Sequence, residues 1–341
     1  MPPPGARSIG TRGRRLIEAE KAKTEARYSP MPHDAVIAAV SGLLAALSFA
    51  YPDTASSFMF PAGPARGFLV GTTFILVAIA ACLAPLVRAE AGALANFLRT
   101  FYPLLLVFLF FQEAILLSVQ LFGGRAHDAA FAAFDRALFG FQPSREFHKA
   151  FDAWPWANEL MFGSYFLYYV LIGLTPLIAW ALGKREEARR QIFVLSSMMA
   201  LVFGFYVFFR VEGPKYWFAD LRALGYSHFR GGFFTAFFQR VFTTTNLYGA
   251  AFPSTHVCFT VAMAMYARRI DRRLSLPYAI AVLLVSLSTV YLYAHYVADV
   301  LGGLVAALVL VPLLSRTYPG ARELCSRLGR PRGLLAPEPS E

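Results

Sequence analysis

The sequence predicts an all-α integral membrane protein with about eight transmembrane helices. Hydrophobic residues make up 57% of the chain and charged residues only 16%, whereas a soluble domain carries roughly 25% charged residues. Apolar runs of the length needed to cross a bilayer, about 20 residues, recur along the chain. Its net charge of +11 is concentrated near the ends and between the runs, which is typical of membrane proteins and does not favour a nucleic-acid partner.

Eight apolar runs predict the spanning helices. They are 35–51, 67–87, 101–122, 160–182, 191–211, 252–270, 277–295 and 297–315. The first run is short, and the last two nearly abut. The three cysteines predict neither a disulfide framework nor a metal site, and we expect no cleaved signal peptide.

The basic segments predict the orientation of the bundle. They are residues 7–27, the loop 183–190 (GKREEARR), the turn 268–273 (RRIDRR) and the tail after 315. With eight spans and a cytoplasmic N-terminus, all four lie on the cytoplasmic side, as the positive-inside rule requires. The remaining loops, 52–66, 123–159, 212–251 and the junction near 295–297, are then expected on the periplasmic, extracellular or lumenal face.

This arrangement divides the chain into four parts. They are a basic cytoplasmic arm (1–34), two extra transmembrane helices (35–100), a six-helix core (101–315) and a cytoplasmic tail (316–341). The Pro-rich tail is expected to be disordered. Segment 123–159 mixes Phe and Trp with charges at helical spacing, which predicts either an amphipathic helix in the membrane interface or an aromatic-rich loop.

Two of the six histidines stand at the outer ends of predicted spans. His256 begins the sixth span, and His295 ends the seventh, four residues before Asp299. Residues i and i+4 share a helix face, so Asp299 can reach the ring of His295. Each residue alone has a structural explanation, a packed histidine or a helix cap. Three ionisable groups at one membrane depth favour a functional site instead, because such groups are costly there.

Lys215 follows the outer end of the fifth span, in the segment FFRVEGPKYWF. Gly213 and Pro214 predict a turn beside it, and Arg210 precedes that turn. A cation near two histidines suits a phosphate dianion. The alternative is a lysine whose stem packs on apolar surface while its ammonium reaches the interface.

These residues resemble the sequence blocks of the type 2 phosphatidic acid phosphatase superfamily. Pro-Ser-Thr-His at 253–256 matches the second block, and the third block is matched by Ser288, His295 and Asp299 at the family's spacing. Thr255 replaces the family's Gly, Thr289 replaces its third-block Arg, and the first block is reduced to Lys215. The resemblance covers roughly residues 101–315.

Two further segments are similar to the inositol phosphorylceramide synthase-like branch of that superfamily. They are the pattern T-V-Y-x(3)-H-Y-x-x-D at 289–299 and the segment FDRALFGFQPS at 134–144. The phosphatase-type six-helix fold is therefore expected for the core.

The resemblance also implies the chemistry. His295 would attack phosphorus to form a phosphohistidine, Asp299 would orient its ring, and His256 would act as acid and then as base. The candidate phosphate ligands are Lys215, Ser254, Thr255 and Arg210. No cofactor and no metal are implied.

Three functions remain open at this stage. The branch resemblance favours a lipid phosphotransferase, which passes the phosphoryl or phospho-headgroup to an alcohol. With water as acceptor, the enzyme would be a lipid phosphate phosphatase acting on phosphatidic acid or a polyprenyl phosphate. A transporter with a buried proton relay is the non-enzymatic alternative, and Glu113 in the third span is its candidate residue.

Overall fold

The computed structural model describes residues 30–51, 63, 65–86, 92–244 and 248–328. The predictions for residues 1–29, for most of loop 52–66 and for 329–341 therefore lie outside the described residues. Within the described ranges the secondary structure is helical, and the backbone forms only two isolated bridges, Ala126 with Arg210 and Val211 with Ala250.

Fourteen α-helices are described. They are α1 (Pro32–Ala50), α2 (Arg66–Leu83), α3 (Ala93–Phe101), α4 (Val107–Phe122), α5 (Asp128–Phe139), α6 (Pro143–Glu146), α7 (Pro155–Ala181), α8 (Arg185–Phe208), α9 (Pro214–Trp217), α10 (Ala219–Leu224), α11 (Phe233–Thr244), α12 (Thr255–Ile270), α13 (Ser275–Tyr291) and α14 (Val297–Leu328).

Seven described helical segments are long and apolar enough to cross a membrane, which makes this a multi-pass membrane protein. They are Pro32–Ala50, Arg66–Leu86, Ala93–Phe122, Pro155–Ala181, Arg185–Phe208, Arg272–Tyr291 and Val297–Leu328. The predicted run 252–270 corresponds to α12, which has 16 residues and packs among α7, α13 and α14. The count of eight spans stays a prediction.

The last helix is longer than predicted. It continues to Leu328, so residues 316–328, expected to be disordered, are helical. The side chains of Tyr318 and Cys325 are buried, and the Tyr318 hydroxyl donates to Glu186 at 2.9 Å. These contacts with the start of α8 extend the helix beyond its apolar run.

The basic segments gather at one end of the bundle. Lys184 Nζ donates to the carbonyl of Ile270 at 2.8 Å, which joins loop 183–190 to turn 268–273. Arg322 Nε lies 3.0 Å from Glu186 Oε1, so the tail is at the same end. Helix α12 runs from Thr255 to Ile270 and therefore begins at the opposite end, where the predicted site residues lie.

Segment 123–159 forms helices α5 and α6. In α5 the side chains of Phe134 and Leu138 are exposed, whereas Asp128 and Asp135 are fully buried. The helix thus turns its carboxylates towards the protein and apolar side chains outward. This distribution suits a helix that lies in the membrane interface.

Glu113, the candidate for a proton relay, has a structural partner. Its Oε1 accepts from Arg66 Nη2 at 2.8 Å, and both side chains are buried. Asp34 likewise lies 3.3 Å from Arg99, again in the interior. These pairs connect the two N-terminal helices to the segment Ala93–Phe122, because a buried charge requires a partner.

Helices α12 and α14 approach each other closely at Gly303. A Cβ atom there would lie 2.5 Å from the carbonyl oxygen of Ser254 and 3.2 Å from Val257 Cβ. Only glycine permits this approach. It brings the start of α12, which carries His256, against the first turns of α14, which carry Asp299.

We predict that Gly303→Ala destabilises the protein by about 1–3 kcal/mol, the usual cost of overpacking. Gly204→Ala in α8 is the matched control, because a Cβ there meets nothing within 4 Å and alanine favours a helix by roughly 0.5–1 kcal/mol. Thermal unfolding in detergent measures the stability of both variants. Equal unfolding midpoints for the two variants would contradict the close approach.

Candidate functional site

His295 and His256 come together in the structure. His256 is in the first turn of α12, and His295 lies in the turn 292–296 between α13 and α14. Their ring centroids are 5.6 Å apart in an edge-to-face arrangement. The two histidines predicted from separate motifs therefore form one site.

The apolar run 277–295 predicts His295 at the outer end of the seventh span, but the helix ends four residues earlier. Helix α13 ends at Tyr291, and Tyr293 adopts a left-handed φ of +43°, which is rare for a bulky residue. The N–H groups of Ala294 and His295 both donate to the Thr289 carbonyl at 3.1 Å. These bonds close the end of α13 and project His295 from a turn.

Asp299 has two roles that the sequence left as alternatives. Its Oδ2 lies 3.4 Å from His295 Nδ1 and accepts from the backbone N–H of Tyr296 at 2.8 Å. The side chain is fully buried. Asp299 therefore caps α14 and lies against Nδ1 of the His295 imidazole.

Ser254 is the N-cap residue of α12. Its hydroxyl accepts from the N–H of Val257 at 3.5 Å, and its own N–H donates to the carbonyl of Asp299 at 3.0 Å. The two matched sequence blocks are thus joined directly by their backbones.

Lys215 lies among aromatic rings at the start of α9. Its Nζ is 4.0 Å from the ring centroid of Tyr226, 5.0 Å from that of Tyr216 and 5.3 Å from that of Phe242. No carboxylate of the described residues forms an ion pair with it. Burial lowers the pKa of the Lys215 ammonium to about 8. The cation is therefore available to an anionic ligand.

The turn that presents Lys215 requires glycine, as predicted. Gly213 has φ of +89°, and a Cβ atom there would lie 2.5 Å from the carbonyl oxygen of Ala294. The N–H of Lys215 donates to the Tyr293 carbonyl at 2.9 Å. Close backbone approach thus connects the lysine turn to the histidine turn.

Four of the predicted residues line one cavity of about 580 Å³, namely Lys215, Thr255, His256 and His295. Half of its lining residues are Phe or Tyr, and most of these are on α7 and α11. A second cavity shares six lining residues with the first, among them Lys215 and Glu212, and adds the polar residues Arg222 and Thr243. The site thus joins an apolar compartment to a polar one at Lys215.

Ser254 and Arg210 do not belong to the lining of either cavity. Ser254 is fully buried as a cap. Arg210 is buried as well, 3.5 Å from Glu212 Oε1 and 5.1 Å from the ring centroid of Tyr248. Their roles as phosphate ligands stay predictions.

Two carboxylates that the sequence did not single out hold the site together. Asp128 accepts from the N–H groups of Glu212 at 2.8 Å and Gly213 at 2.9 Å. Asp135 accepts from those of Val297 at 2.9 Å and Ala298 at 3.1 Å, at the N-terminus of α14. Burial raises the pKa of both carboxyls, and the N–H groups oppose that shift. Asp135 lies in segment 134–144, which resembles the synthase-like branch, but no spacing or periodicity marks the contacts of either carboxylate.

Tyrosines of α7 surround His256. Its ring centroid lies 4.2 Å from that of Tyr165, 4.4 Å from Tyr168 and 5.8 Å from Tyr169. Neither ring nitrogen has a hydrogen-bond partner in the described part of the chain. The imidazole is held by packing and keeps its nitrogens for a ligand.

Comparison with known proteins is consistent with this geometry. A sequence model described as the PAP2 superfamily matches residues 129–313. The matched region begins in α5, ends in α14 and contains Lys215, Ser254, Thr255, His256, His295 and Asp299, whereas Asp128 lies one residue before it. No curated protein and no solved structure matches the chain.

We predict that Asp135→Asn lowers the free energy of unfolding by roughly 1–3 kcal/mol, because the N–H groups of Val297 and Ala298 lose charged acceptors in the interior. Asp220→Asn is the control, since this carboxylate is exposed and paired with Arg145 and should change stability by less than about 1 kcal/mol. Thermal unfolding in detergent distinguishes the two. A loss no larger than that of the control would contradict the capping role.

Proposed function

Because the chain belongs to the PAP2 superfamily, we propose that it is a membrane enzyme that cleaves a lipid phosphoester and passes the phosphoryl or phospho-headgroup to an alcohol. The observation that carries this proposal is the contact of His295 with Asp299 and with His256 beside a cavity that also contains Lys215. Superfamily membership alone suggests a phosphatase-type lipid phosphoesterase and does not separate transfer from hydrolysis.

In the first step, Nε2 of His295 attacks phosphorus. The N–P bond forms, the bond to the leaving oxygen breaks, and protonated His256 gives its proton to that oxygen. Asp299 holds Nδ1 of His295 at 3.4 Å and stabilises the positive charge that develops on the ring, as the carboxylate of a catalytic triad does.

In the second step, neutral His256 accepts the proton of the incoming hydroxyl. The new O–P bond forms as the N–P bond to His295 breaks, so both histidines return to their starting states. The Lys215 ammonium binds the phosphoryl oxygens through both steps and offsets their negative charge. Thr255, in the cavity wall, and the N-terminal N–H groups of α12 are additional candidate donors.

The two compartments support a reaction between a lipid and a polar group. The aromatic cavity suits acyl or polyprenyl chains, because it presents mainly Phe and Tyr side chains from α7 and α11. The polar cavity beyond Lys215 suits a water-soluble headgroup. With a lipid hydroxyl as acceptor, the headgroup phosphate would pass between the two compartments beside Lys215, which lines both.

Hydrolysis is the second candidate function. The polar cavity shares Lys215 with the cavity that contains His295, which supports the entry of water, and the residues of both steps are the same. The identity of the acceptor then decides the activity.

The membrane arrangement is part of the proposal. We place the basic end of the bundle, with both termini, in the cytoplasm, and the histidines on the periplasmic, extracellular or lumenal face. We propose eight spans, in which α12 is added to the seven long apolar segments. We also propose that residues 101–315 form a six-helix core of the inositol phosphorylceramide synthase-like type. The contacts between the basic segments at one end support this topology.

We predict that the wild-type protein transfers labelled phosphate and that His295→Ala loses at least about a thousandfold in turnover, as expected when a nucleophile is removed. Mixed micelles would contain phosphatidylinositol, phosphatidic acid or a polyprenyl phosphate, with ceramide, inositol, glycerol or no acceptor. His127→Ala is the control, because that ring stacks on Phe209 away from the cavity.

A phosphorylated product that requires one acceptor would establish transfer, and free phosphate without an acceptor would establish hydrolysis. An acid-labile label on the wild-type chain, absent from His295→Ala, would identify the phosphohistidine. Equal turnover by the wild type and His295→Ala would exclude His295 as the nucleophile.

The lowered pKa of Lys215 predicts that the activity depends on pH. The pKa of Lys215 is lowered to about 8, so the free enzyme loses this cation as the pH rises through 8. We expect kcat/KM, which reports the free enzyme, to fall above that pH. In Lys215→Arg the fall should move to higher pH, because a guanidinium stays protonated. If kcat/KM falls at the same alkaline pH in the wild type and in Lys215→Arg, the fall must come from another group.

A further inference from the structure

A second group of ionisable side chains lies outside the cavity. His148 and Asp152 come from the segment before α7, and His228 from the loop between α10 and α11. One ligand atom of each lies within 4.8 Å of the others. An ion at the centre of such a triangle is at most about 2.8 Å from each atom. Small side-chain rotations would give bonds of about 2.0–2.2 Å, the range for zinc.

Three of the four imidazole nitrogens of this group lack a hydrogen-bond partner among the described residues. Nδ1 of His148 and both ring nitrogens of His228 are buried and have no hydrogen-bond partner in the described part of the chain. His148 itself is only 2% exposed. Buried polar atoms are normally satisfied, so three such nitrogens beside a carboxylate indicate an additional ligand.

The local backbone places two of the three side chains together. The N–H of Asp152 donates to the carbonyl of His148 at 2.8 Å, which closes one helical turn and brings both residues to one side. The rings of His148 and His228 are 5.7 Å apart at an interplanar angle of 65°. They contact at an angle and leave their nitrogens free of each other.

We propose that His148, Asp152 and His228 bind one divalent transition-metal ion, of which zinc fits best. Two imidazoles with one carboxylate suit zinc and related ions, whereas magnesium and calcium prefer oxygen ligands. A water molecule would complete a tetrahedral site. The sequence predicted no metal. His148 and Asp152 are four residues apart, but His228 is distant in the chain, and all three lie outside the matched sequence blocks.

The ion would stabilise the wall that holds Lys215. Tyr293 lies behind the cluster, 5.3 Å from the His148 ring and 6.4 Å from the His228 ring. It stacks on Tyr226 at 4.9 Å, and the face of Tyr226 contacts Lys215 Nζ. None of the three ligands lines the cavity. The metal thus has a structural role and takes no part in phosphoryl transfer.

The test uses the full-length untagged protein in detergent, stripped with a chelator. Addition of one equivalent of zinc should raise the unfolding midpoint, on the order of 5 °C near saturation. Cobalt should bind at one ion per chain and give the visible absorption of a tetrahedral cobalt site. Both signals should persist in His127→Ala and be lost in Asp152→Asn, a conservative change at a partly exposed residue, and in His228→Ala.

These measurements do not depend on the reaction, so they stand or fall separately from the proposed function. Wild-type protein that is folded but binds no zinc or cobalt would overturn the metal site, whether or not the variants fold. Binding of equal strength and stoichiometry in Asp152→Asn and His228→Ala would overturn this assignment of its ligands.

Discussion

The site depends on the hydrogen bonds made by the backbone N–H groups at the N-terminus of α14. The first N–H groups of a helix have no partner within it and carry partial positive charge. Here Asp299 accepts from Tyr296, and Asp135 accepts from Val297 and Ala298. Because these carboxylates are fully buried, they fix the start of the helix and the position of His295 directly before it.

Backbone contacts then bring the other site segments to the same point. The N–H of Ser254 donates to the carbonyl of Asp299, and the N–H of Lys215 donates to that of Tyr293. Asp128 joins the lysine turn to α14 by accepting also from the Tyr296 hydroxyl at 3.1 Å. The histidines and the lysine are therefore fixed before substrate arrives, and electrostatic catalysis requires such preorganisation.

Sequence patterns predicted what depends on local spacing or on the bilayer. Apolar runs located the spanning helices because lipid requires an apolar surface over a whole span, and the interval from His295 to Asp299 predicted their contact. The break at Tyr293, the capping by Asp128 and Asp135, and the grouping of His148 with His228 were not predicted. Each depends on contacts between distant segments, and a helical or alternating pattern carries no information about them. Helical residues 316–328 were missed for the same reason, since Tyr318 packs against the start of α8.

The position of Thr289 bears on the kind of phosphate the site accepts. Its hydroxyl donates to the Ser286 carbonyl at 2.8 Å, so no guanidinium reaches the cavity from the place where the superfamily's third block has arginine. Lys215 is then the one described cation in the wall of the aromatic cavity, and it is a point charge without a bidentate fork. A phosphodiester carries one negative charge, whereas a phosphomonoester dianion carries two and gains more from an arginine. Within the proposed function, a single lysine in this wall favours a singly charged phosphodiester donor over a phosphomonoester dianion, and Arg222 is the additional cation of the adjoining cavity wall.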